Sequence, residues 1–538
     1  NQDYNFSIKD SNFSKMNSRL NFVTAFAYLI FTGNFIFVHC DFPTTLQGPF
    51  PPFTAALDND TVLRSILDLP ETDPRLQSTV EQLHPEQISL ALSSSYNSVW
   101  ISWITGEYQI GRNEFPLDPE SVSSVVKYGK TGTPLDSEAR GYSLVYTDYL
   151  ENYTSGIIHH VRLTDLEPGV MYEYKCGDPE LPAMSEPLFF TTMPVSTPQT
   201  YPRRIAIVGD LGLSYNTSTT FSHLLATHPD LLVVIGGLSY SDLYTSDGFP
   251  AISSSNMSKS YQPRWDYWGR FMQPLIAQVP TMMVAGKHEM EIQGDGSTRA
   301  SVAYTSRFSV PYQESGSLSP LFYSFEAGGV HFIVLNPYTP FDSFSEQYKW
   351  LEEDLAGVNR SETPWVAAAW YAPWYSTFTA RYREAECMRV EMEDLVYTSH
   401  VDIVFNAHVH AYERSNRVYN YTLDECGPVY ITIGSGGAAE EISIEHVDDG
   451  GSCPDPASVG DDVIEELCPV KIELGEEGFC VDRQPDYSAY RETSFGYGSL
   501  EVKNETHALW RWNRNQDNFD TSSDVIFIVR DQSNCGGS

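Results

Sequence analysis

The sequence predicts two domains, a β-sandwich followed by a layered α/β domain, in a chain of 538 residues. Across residues 84–193, short runs alternate between apolar and polar residues and are separated by turn residues, which is typical of half-buried strands. From Arg204 onward, longer apolar runs alternate with helical patterns, which favours buried strands covered by helices. A linker rich in Pro, Ser and Thr, residues 194–204, separates the two patterns. A division into two domains agrees with the length of the chain, because a single hydrophobic core rarely extends over so many residues.

The apolar runs of the second domain mostly end at residues that can bind a cation, a phosphate or a proton. The runs are RIAIVGDLG, LLVVIGGLSY, TMMVAGKHEME, VHFIVLNP, PWVAAAWYAPW, VDIVFNAHVH and VYITIGSGG. Between them, FSEQYKWLEEDLAGV and EAECMRVEMEDLVYTSH place apolar residues near i, i+3 and i+4, as amphipathic helices do. Ligands of such domains bind at the carboxyl ends of the strands, so we expect the functional residues there. Three late strand-like runs, SFGYGSLEVKN, THALWRWNRN and DVIFIVRD, are expected to complete a sheet.

The first 40 residues are predicted to be a leader and a secretory signal. Residues 20–39 form the only long apolar stretch, and Met16 and Arg19 precede it. The alternative is a membrane anchor, although Gly33 and Asn34 interrupt the stretch. Residues 41–80 are Pro-rich and are interpreted as an extension on the surface. Export would carry the protein to the outside, the cell wall or the vacuole.

Seven N-x-S/T sequons follow the predicted signal, which is consistent with a glycoprotein carrying N-linked glycans. They are at Asn59, Asn152, Asn216, Asn256, Asn359, Asn420 and Asn504. The formal charge of −38 disfavours binding to nucleic acid or to anionic membrane and suits a soluble protein of an acidic compartment.

Seven cysteines follow the predicted signal, and their spacing matches no zinc ribbon, so disulfides are expected. They are Cys176, Cys387, Cys426, Cys453, Cys468, Cys480 and Cys535. The odd number leaves one unpaired, and Cys176, which is far from the others, is the candidate. The acidic residues 438–487 are interpreted as an insertion tied by disulfides.

Five strings in order, GDLG, GxxSY, GxHE, APWY and HVHAYERS, resemble the motifs of the purple acid phosphatases. The resemblance extends from about residue 80 to the end and is close to the large plant members, including the phytase-like group. It implies a fibronectin type III-like β-sandwich, residues 81–195, and an αββα calcineurin-like metallophosphoesterase domain, residues 200–538. It also implies phosphomonoester hydrolysis by a ferric ion paired with zinc, iron or manganese, and frequent homodimers.

Carried over residue by residue, the resemblance retains four of the seven family metal ligands. These are Asp210, Tyr240, His408 and His410. The other three positions hold Gly237, Lys287 and Tyr371 where the family has aspartate, asparagine and histidine. His288, which in the family helps bind phosphate and protonate the leaving group, is present, and Arg381 replaces a further substrate-side histidine.

These replacements predict that the metal pair does not assemble, leaving no metal or a single iron. Gly237 offers no side-chain ligand to bridge the ions. An ammonium at Lys287, about 4 Å from a dication at an effective dielectric near 20, would be repelled by roughly 8 kcal/mol.

Three functions remain open on the sequence. The chain is a non-catalytic relative that binds a small anionic or phosphorylated molecule or a protein, a repurposed metal-independent or mononuclear enzyme, or a genuine acid phosphatase or phytase. For a repurposed enzyme the candidate catalytic residues are Asp210, Lys287, His288, Tyr371 and Arg381, with Lys287 as base or Schiff-base amine. The simple alternative is that Lys287 pairs with Asp210 in an inactive site.

Overall fold

A computed structural model describes residues 48–57, 67–81, 83–93, 96–111, 115–148, 150, 152–197, 200, 203–244, 260–293, 298–437, 440–469, 478–530 and 535. The predicted leader and signal lie outside these residues. Among the residues described, no helix combines the length and the apolar character that a membrane crossing needs.

The first domain is a β-sandwich of antiparallel strands. Its strands are β1 Glu86–Leu92, β2 Val99–Thr105, β3 Gln109–Ile110, β4 Val125–Lys130, β5 Ser137–Arg140, β6 Tyr142–Leu144, β7 Thr147–Asp148, β8 Tyr153–Thr154, β9 Ile157–Leu163, β10 Met171–Asp178, β11 Ala183–Met184 and β12 Leu188–Thr191. One sheet has the order β1-β2-β9-β6 and the other β11-β10-β4-β5, with β12 also on β10 and a small β3-β8-β7 ribbon beside them. The core between the sheets joins Ile101 and Val161 of the first to Val126 and Tyr174 of the second.

His159 and His160 are ordinary structural residues of strand β9. The ring of His159 stacks on Trp103 with centroids 4.8 Å apart, and its Nδ1 lies 2.8 Å from Ser124 Oγ. Burial lowers the pKa of His159 to about 3 and that of His160 to about 4, so both are neutral in the core.

The second domain contains two mixed sheets and six α-helices among the described residues. Its elements are β13 Arg204–Gly209, α1 Tyr215–Thr227, β14 Leu231–Ile235, α2 Pro263–Ile276, β15 Thr281–Val284, β16 Glu291–Gln293, β17 Thr298–Ala300, α3 Val302–Arg307, β18 Tyr323–Ala327, β19 Val330–Val334, α4 Glu346–Gly357, β20 Trp365–Ala369, α5 Glu386–Thr398, β21 Ile403–Asn406, β22 Tyr412–Tyr419, β23 Thr422–Leu423, β24 Val429–Ile433, α6 Asp462–Leu467, β25 Ser488–Glu492, β26 Gly496–Val502, β27 His507–Arg514 and β28 Asp524–Val529. The two predicted helices are α4 and α5, and the three late runs are β26, β27 and β28.

The six-stranded sheet has the order β15-β14-β13-β26-β27-β28, so the late strands complete it as predicted. The larger sheet has the order β18-β19-β20-β21-β24-β22-β23, with β25 also on β22. Strands β13, β14 and β15 are parallel to one another, as are β19, β20, β21 and β24. Strands β22 and β25 were not predicted, because their many polar residues hide the strand pattern.

The two sheets face each other across the main core, which explains why their strands are apolar on both faces. In β13, Ile205 and Ile207 join the core between the sheets, whereas Ala206 and Val208 join the core under the helices. This split follows from the two-residue period of a strand. The rings of Phe405 in one sheet and Trp510 in the other lie 5.4 Å apart, centroid to centroid.

Three disulfides lie in the second domain, which confirms the expected use of the cysteines. They are Cys387–Cys468, Cys426–Cys535 and Cys453–Cys480. The predicted insertion is tied by two of them. Cys176 is free and buried in the sandwich, as predicted.

The described parts of the N-terminal extension are irregular and contact the second domain. The backbone N–H of Phe50 donates to Asn416 Oδ1 at 2.7 Å, and that of Leu69 donates to the carbonyl of Leu213 at 2.8 Å.

Candidate active site

The candidate site lies at the carboxyl ends of five parallel strands from both sheets. Asp210 follows β13, Gly236 and Gly237 follow β14, and Lys287 and His288 follow β15. In the second sheet, Tyr371 follows β20, and His408 and His410 follow β21. Parallel pairing aligns these ends, which brings together residues up to 200 positions apart in the chain.

Asp210 is the centre of the site, and its carboxylate is held by neutral donors. Its Oδ1 accepts hydrogen bonds from the hydroxyls of Tyr371, at 2.6 Å, and Tyr240, at 2.8 Å. Its Oδ2 accepts the backbone N–H of His408 at 2.6 Å. His410 Nε2 lies 3.9 Å from Oδ1 and 3.3 Å from the hydroxyl of Tyr240. Asp210, Tyr240 and His410, predicted as one residual metal set, therefore do converge.

Tyr371 reaches Asp210 because its ring lies on two glycines. A Cβ added to Gly236 would lie 2.4 Å from Cδ2 of Tyr371, and one added to Gly286 would lie 2.5 Å from the same atom. Only glycine leaves room for a phenol here. The ring is fully buried, and its hydroxyl occupies the space beside Asp210.

Gly237 has no room for a side chain in this arrangement. Its φ is +61°, in the left-handed region that favours glycine. An added Cβ would lie 2.2 Å from Oδ1 of Asp210.

Glu289 fixes the backbone around these glycines. Its carboxylate accepts the N–H groups of Gly237 at 3.1 Å, Leu238 at 2.8 Å and Gly286 at 2.8 Å. Burial raises the pKa of Glu289 to about 7, against the lowering effect of these N–H groups.

Lys287 and His288 occupy a short 3₁₀ turn, Lys287–Glu289, and both are paired with carboxylates. Lys287 Nζ forms an ion pair with Asp461, the N-cap residue of α6, instead of with Asp210. His288 Nδ1 lies 2.9 Å from Asp242 Oδ2, and its Nε2 lies 3.5 Å from Glu440 Oε2. Burial by itself lowers the pKa of His288, but the two carboxylates outweigh it and raise the pKa above the usual value.

His408 and Arg381 share a carboxylate on the other side of the site. His408 Nε2 lies 2.8 Å from Glu384 Oε1, and an Arg381 guanidinium nitrogen lies 3.7 Å from Glu384 Oε2. Burial lowers the pKa of His408 in spite of Glu384.

Four carboxylates of the site were missed in the sequence: Asp242, Glu384, Glu440 and Asp461. Asp242 and Glu384 lie two and three residues beyond predicted site residues, and this proximity was an available signal. Glu440 and Asp461 lie in the acidic insertion, where nothing in the sequence distinguishes them from their neighbours. Each of the four contacts a histidine or a cation of the site.

The described side chains at the strand ends do not form a set that fits a pair of metal ions. Over the described part of the chain, no group of three or more His, Cys, Asp or Glu residues has an arrangement that could hold a metal ion. Oδ1 of Asp210 accepts hydrogen bonds from two phenols, and Nε2 of His408 is hydrogen-bonded to Glu384. These atoms are therefore already occupied.

A β-sandwich followed by two facing sheets, with this GDxG…HxH set at the strand ends, defines a metallophosphoesterase with an N-terminal β-sandwich. Family models support each part. The purple acid phosphatase N-terminal domain matches residues 85–192, the calcineurin-like phosphoesterase domain matches residues 203–412, and the iron/zinc purple acid phosphatase-like C-terminal domain matches residues 474–523.

Curated relatives indicate the same family as the family models. The chain is 55% identical over 505 residues to purple acid phosphatase 15 of Arabidopsis thaliana, an alignment that covers 92% of this chain and 94% of that protein. It is 53% identical to purple acid phosphatase 13 of the same plant, over 94% of this chain and 97% of the relative. The chain belongs to the purple acid phosphatase family.

A solved structure supports the fold. The purple acid phosphatase PPD1 from yellow lupin (Lupinus luteus) seeds superposes with a TM-score of 0.64 at 19% identity, covering 84% of this chain and 75% of the lupin chain.

Proposed function

We propose that this member of the purple acid phosphatase family does not assemble the two-metal centre and that its strand-end site works without metal. The hydrogen bond from Tyr371 to Oδ1 of Asp210 carries this proposal, because a metal ligand is thereby engaged by a phenol. Gly237 adds to it, since a bridging side chain would collide with Asp210. Lys287 offers no ligand either, because its ammonium is paired with Asp461.

The chemistry available to such a site is proton transfer to or from a bound small molecule. Asp242 orients His288 through Nδ1, which leaves Nε2 directed towards Glu440 on the open side. A histidine oriented by a carboxylate is a common general acid or base. We propose His288 as the proton-transferring group, and Tyr371 and Asp210 as groups that position the ligand. Lys287 is less suited to nucleophilic or Schiff-base chemistry, because its amine is already engaged by Asp461.

The second candidate is a genuine acid phosphatase, and it is favoured by the names of the relatives. At 55% identity to purple acid phosphatase 15, the scaffold is closely kept. The replaced residues are concentrated at ligand positions, which favours loss of the family reaction over general decay of the fold.

Metal analysis and a phosphatase assay test the proposal together. We expect secreted protein to contain well under one metal ion per chain, and to lack the purple tyrosinate-to-iron band. Hydrolysis of p-nitrophenyl phosphate at acid pH should be at least about 100-fold slower than that of a Gly237→Asp, Lys287→Asn, Tyr371→His revertant reconstituted with iron and zinc. Two metals per chain in the unaltered protein, with activity equal to that of the revertant, would refute it.

The proton-transfer role has its own test. Metal-stripped protein is screened against a library of plant metabolites, and any turnover should disappear in His288→Gln and persist in His446→Gln, whose ring faces the solvent-exposed Asp449. Turnover that survives His288→Gln would assign the reaction to other groups. Export, N-linked glycans and a homodimer are proposed on the sequence evidence given above.

A further inference from the structure

We propose that the interface between the β-sandwich and the second domain contains an internal hydration site, in which one water molecule is hydrogen-bonded to both domains. The site is a cavity of about 20 Å³. Gln87 and Ser89 of β1 and Trp103 of β2 line the cavity from the sandwich, and Gly269 of α2 and Arg307 of α3 line it from the second domain. This proposal does not depend on the metal content of the strand-end site.

A distorted segment of β1 forms one wall of the cavity. Gln87 has a φ of +56°, in the left-handed region that residues other than glycine rarely adopt, and the pairing of β1 with β2 shifts register between Glu86 and Ser89. Such a bulge interrupts the pairing of a strand and redirects its side chains. The side chain of Gln87 reaches the second domain, where its Nε2 donates to Asp266 Oδ1 at 3.1 Å.

Gly269 leaves the room that this side chain needs. A Cβ added to Gly269 would lie 2.5 Å from Oε1 of Gln87 and 3.0 Å from its Cβ. A glycine in the interior of α2 is otherwise unfavourable for a helix. The domains therefore meet through an irregular strand and a glycine, which is an arrangement that leaves a gap in the packing.

Two N–H groups from residues that line the cavity have no hydrogen-bond partner among the described residues. They are Nε1 of Trp103 and Nε of Arg307. Both side chains are deeply buried, because Trp103 is 1% and Arg307 6% exposed. Buried N–H groups nearly always have an acceptor, supplied by the protein or by an ordered water. One donor comes from each domain, so a shared acceptor in the cavity would join the two.

The size of the cavity limits this acceptor to a very small molecule. One water needs about 10–15 Å³ of such space and two to four polar partners. The cavity exceeds this need, and Trp103 and Arg307 supply two donors. The hydroxyl of Ser89, which also lines the cavity, can accept a proton of the water in return. A metabolite or a phosphate is too large to enter.

A halide ion is the other acceptor of suitable size, and the charges around Arg307 disfavour it. The guanidinium is already compensated, because its Nη1 lies 3.3 Å from Asp266 Oδ1. Its Nη2 donates to the hydroxyl of Tyr153 at 2.6 Å. Asp266 is 1% exposed, so a second anion beside it would be repelled in a poorly hydrated place. A neutral acceptor fits better.

A crystal structure of the full-length protein tests the identity of the occupant. We expect a water peak in the cavity within hydrogen-bond distance of both Trp103 Nε1 and Arg307 Nε. Parallel crystals are soaked in sodium bromide, and the anomalous signal of bromine is measured. An anomalous peak in the cavity would assign a halide and overturn the proposal. So would featureless density in the cavity at a resolution that shows other buried waters.

Oxygen-17 magnetic relaxation dispersion, which counts long-lived internal waters, supplies the test in solution. Ser89→Thr keeps the hydroxyl and adds a methyl group at the wall of the cavity. We expect this variant to have one internal water fewer than the unaltered protein. It should also unfold at a lower urea concentration, because both N–H groups lose their acceptor.

Ser137→Thr is the matched control, since it adds the same methyl group to an exposed position of strand β5. It should keep both the water count and the unfolding midpoint. If the cavity held no water, the methyl of Ser89→Thr would fill it and raise the midpoint. A raised midpoint or an unchanged water count in Ser89→Thr would therefore contradict the proposal.

Discussion

The hydroxyl of Tyr371 donates a 2.6 Å hydrogen bond to Oδ1 of Asp210, across the gap between the two sheets. Both residues are fully buried, and each follows a strand of a different sheet. The phenol lies where the family places a histidine ligand, and it is accommodated by glycine on the neighbouring strand ends. Oδ1 of the central carboxylate is therefore engaged by a phenol in this structure.

Tyr371→Phe should destabilise the protein by about 1–3 kcal/mol, because it removes a donor from a buried carboxylate. The measurement is equilibrium unfolding in urea. Tyr430→Phe is the matched control, since the Tyr430 hydroxyl is buried with no hydrogen-bond partner in the described part of the chain. Loss of the Tyr430 hydroxyl should leave the free energy of unfolding nearly unchanged. Equal destabilisation by the two variants would mean that the bond to Asp210 contributes nothing specific.

Gly237→Asp should cost about 2–5 kcal/mol in the unaltered protein, through a left-handed backbone and a collision with Asp210. In a Tyr371→His background the cost should fall by about 1 kcal/mol or more, because Asp210 is then free to rotate away. A double-mutant cycle by urea unfolding measures this coupling. Strictly additive effects would show that Tyr371 does not hold Asp210 in place.

His331 should make the free energy of unfolding fall as the pH rises from neutral to alkaline values. Burial by itself lowers its pKa, but Asp354, at 2.8 Å, and Glu326 outweigh it and raise the pKa from 6.5 to about 9. A raised pKa contributes stability that is complete below pH 6.5 and is lost as the pH rises to about 9, with an upper limit of about 3 kcal/mol. Unfolding measured from pH 6 to 9 should show this loss, and His331→Gln should flatten it. A variant with the same profile as the unaltered protein would assign the dependence to other groups.

The sequons should differ in occupancy when the protein is produced in a secretory host. Asn216 is 9% exposed in the first turn of α1, so a glycan there is incompatible with the fold, whereas Asn152, Asn359 and Asn420 are exposed. Glycopeptide mapping should find Asn216 bare and the three exposed asparagines occupied. Full occupancy at Asn216 in folded protein would contradict the placement of α1.

Much of the fold could be predicted because its strands and helices leave local patterns. Apolar alternation predicted the sandwich, and amphipathic periods predicted α4 and α5. Strands β22 and β25 were not predicted, because their polar residues are buried in networks such as the 2.7 Å ion pair of Arg414 with Asp524. A partner so far away in the chain cannot be recognised from the local sequence pattern.

Part of the site could be predicted, because the apolar runs of the sequence show where the strands end. The predicted residues that follow these ends are Asp210, Tyr240, Lys287, His288, Tyr371, His408 and His410. Their partners Glu440 and Asp461 come from the acidic insertion, in which many carboxylates look alike.

The sequence by itself determined the β-sandwich and the α/β domain, the family, the unpaired cysteine and which residues follow the strand ends, because each depends on residue type and order along the chain. The tertiary structure alone decided that Lys287 forms an ion pair with Asp461 and that a phenol reaches Asp210. Charge pairing and steric exclusion act through distances between residues far apart in the chain, and these distances exist only once the two sheets face each other.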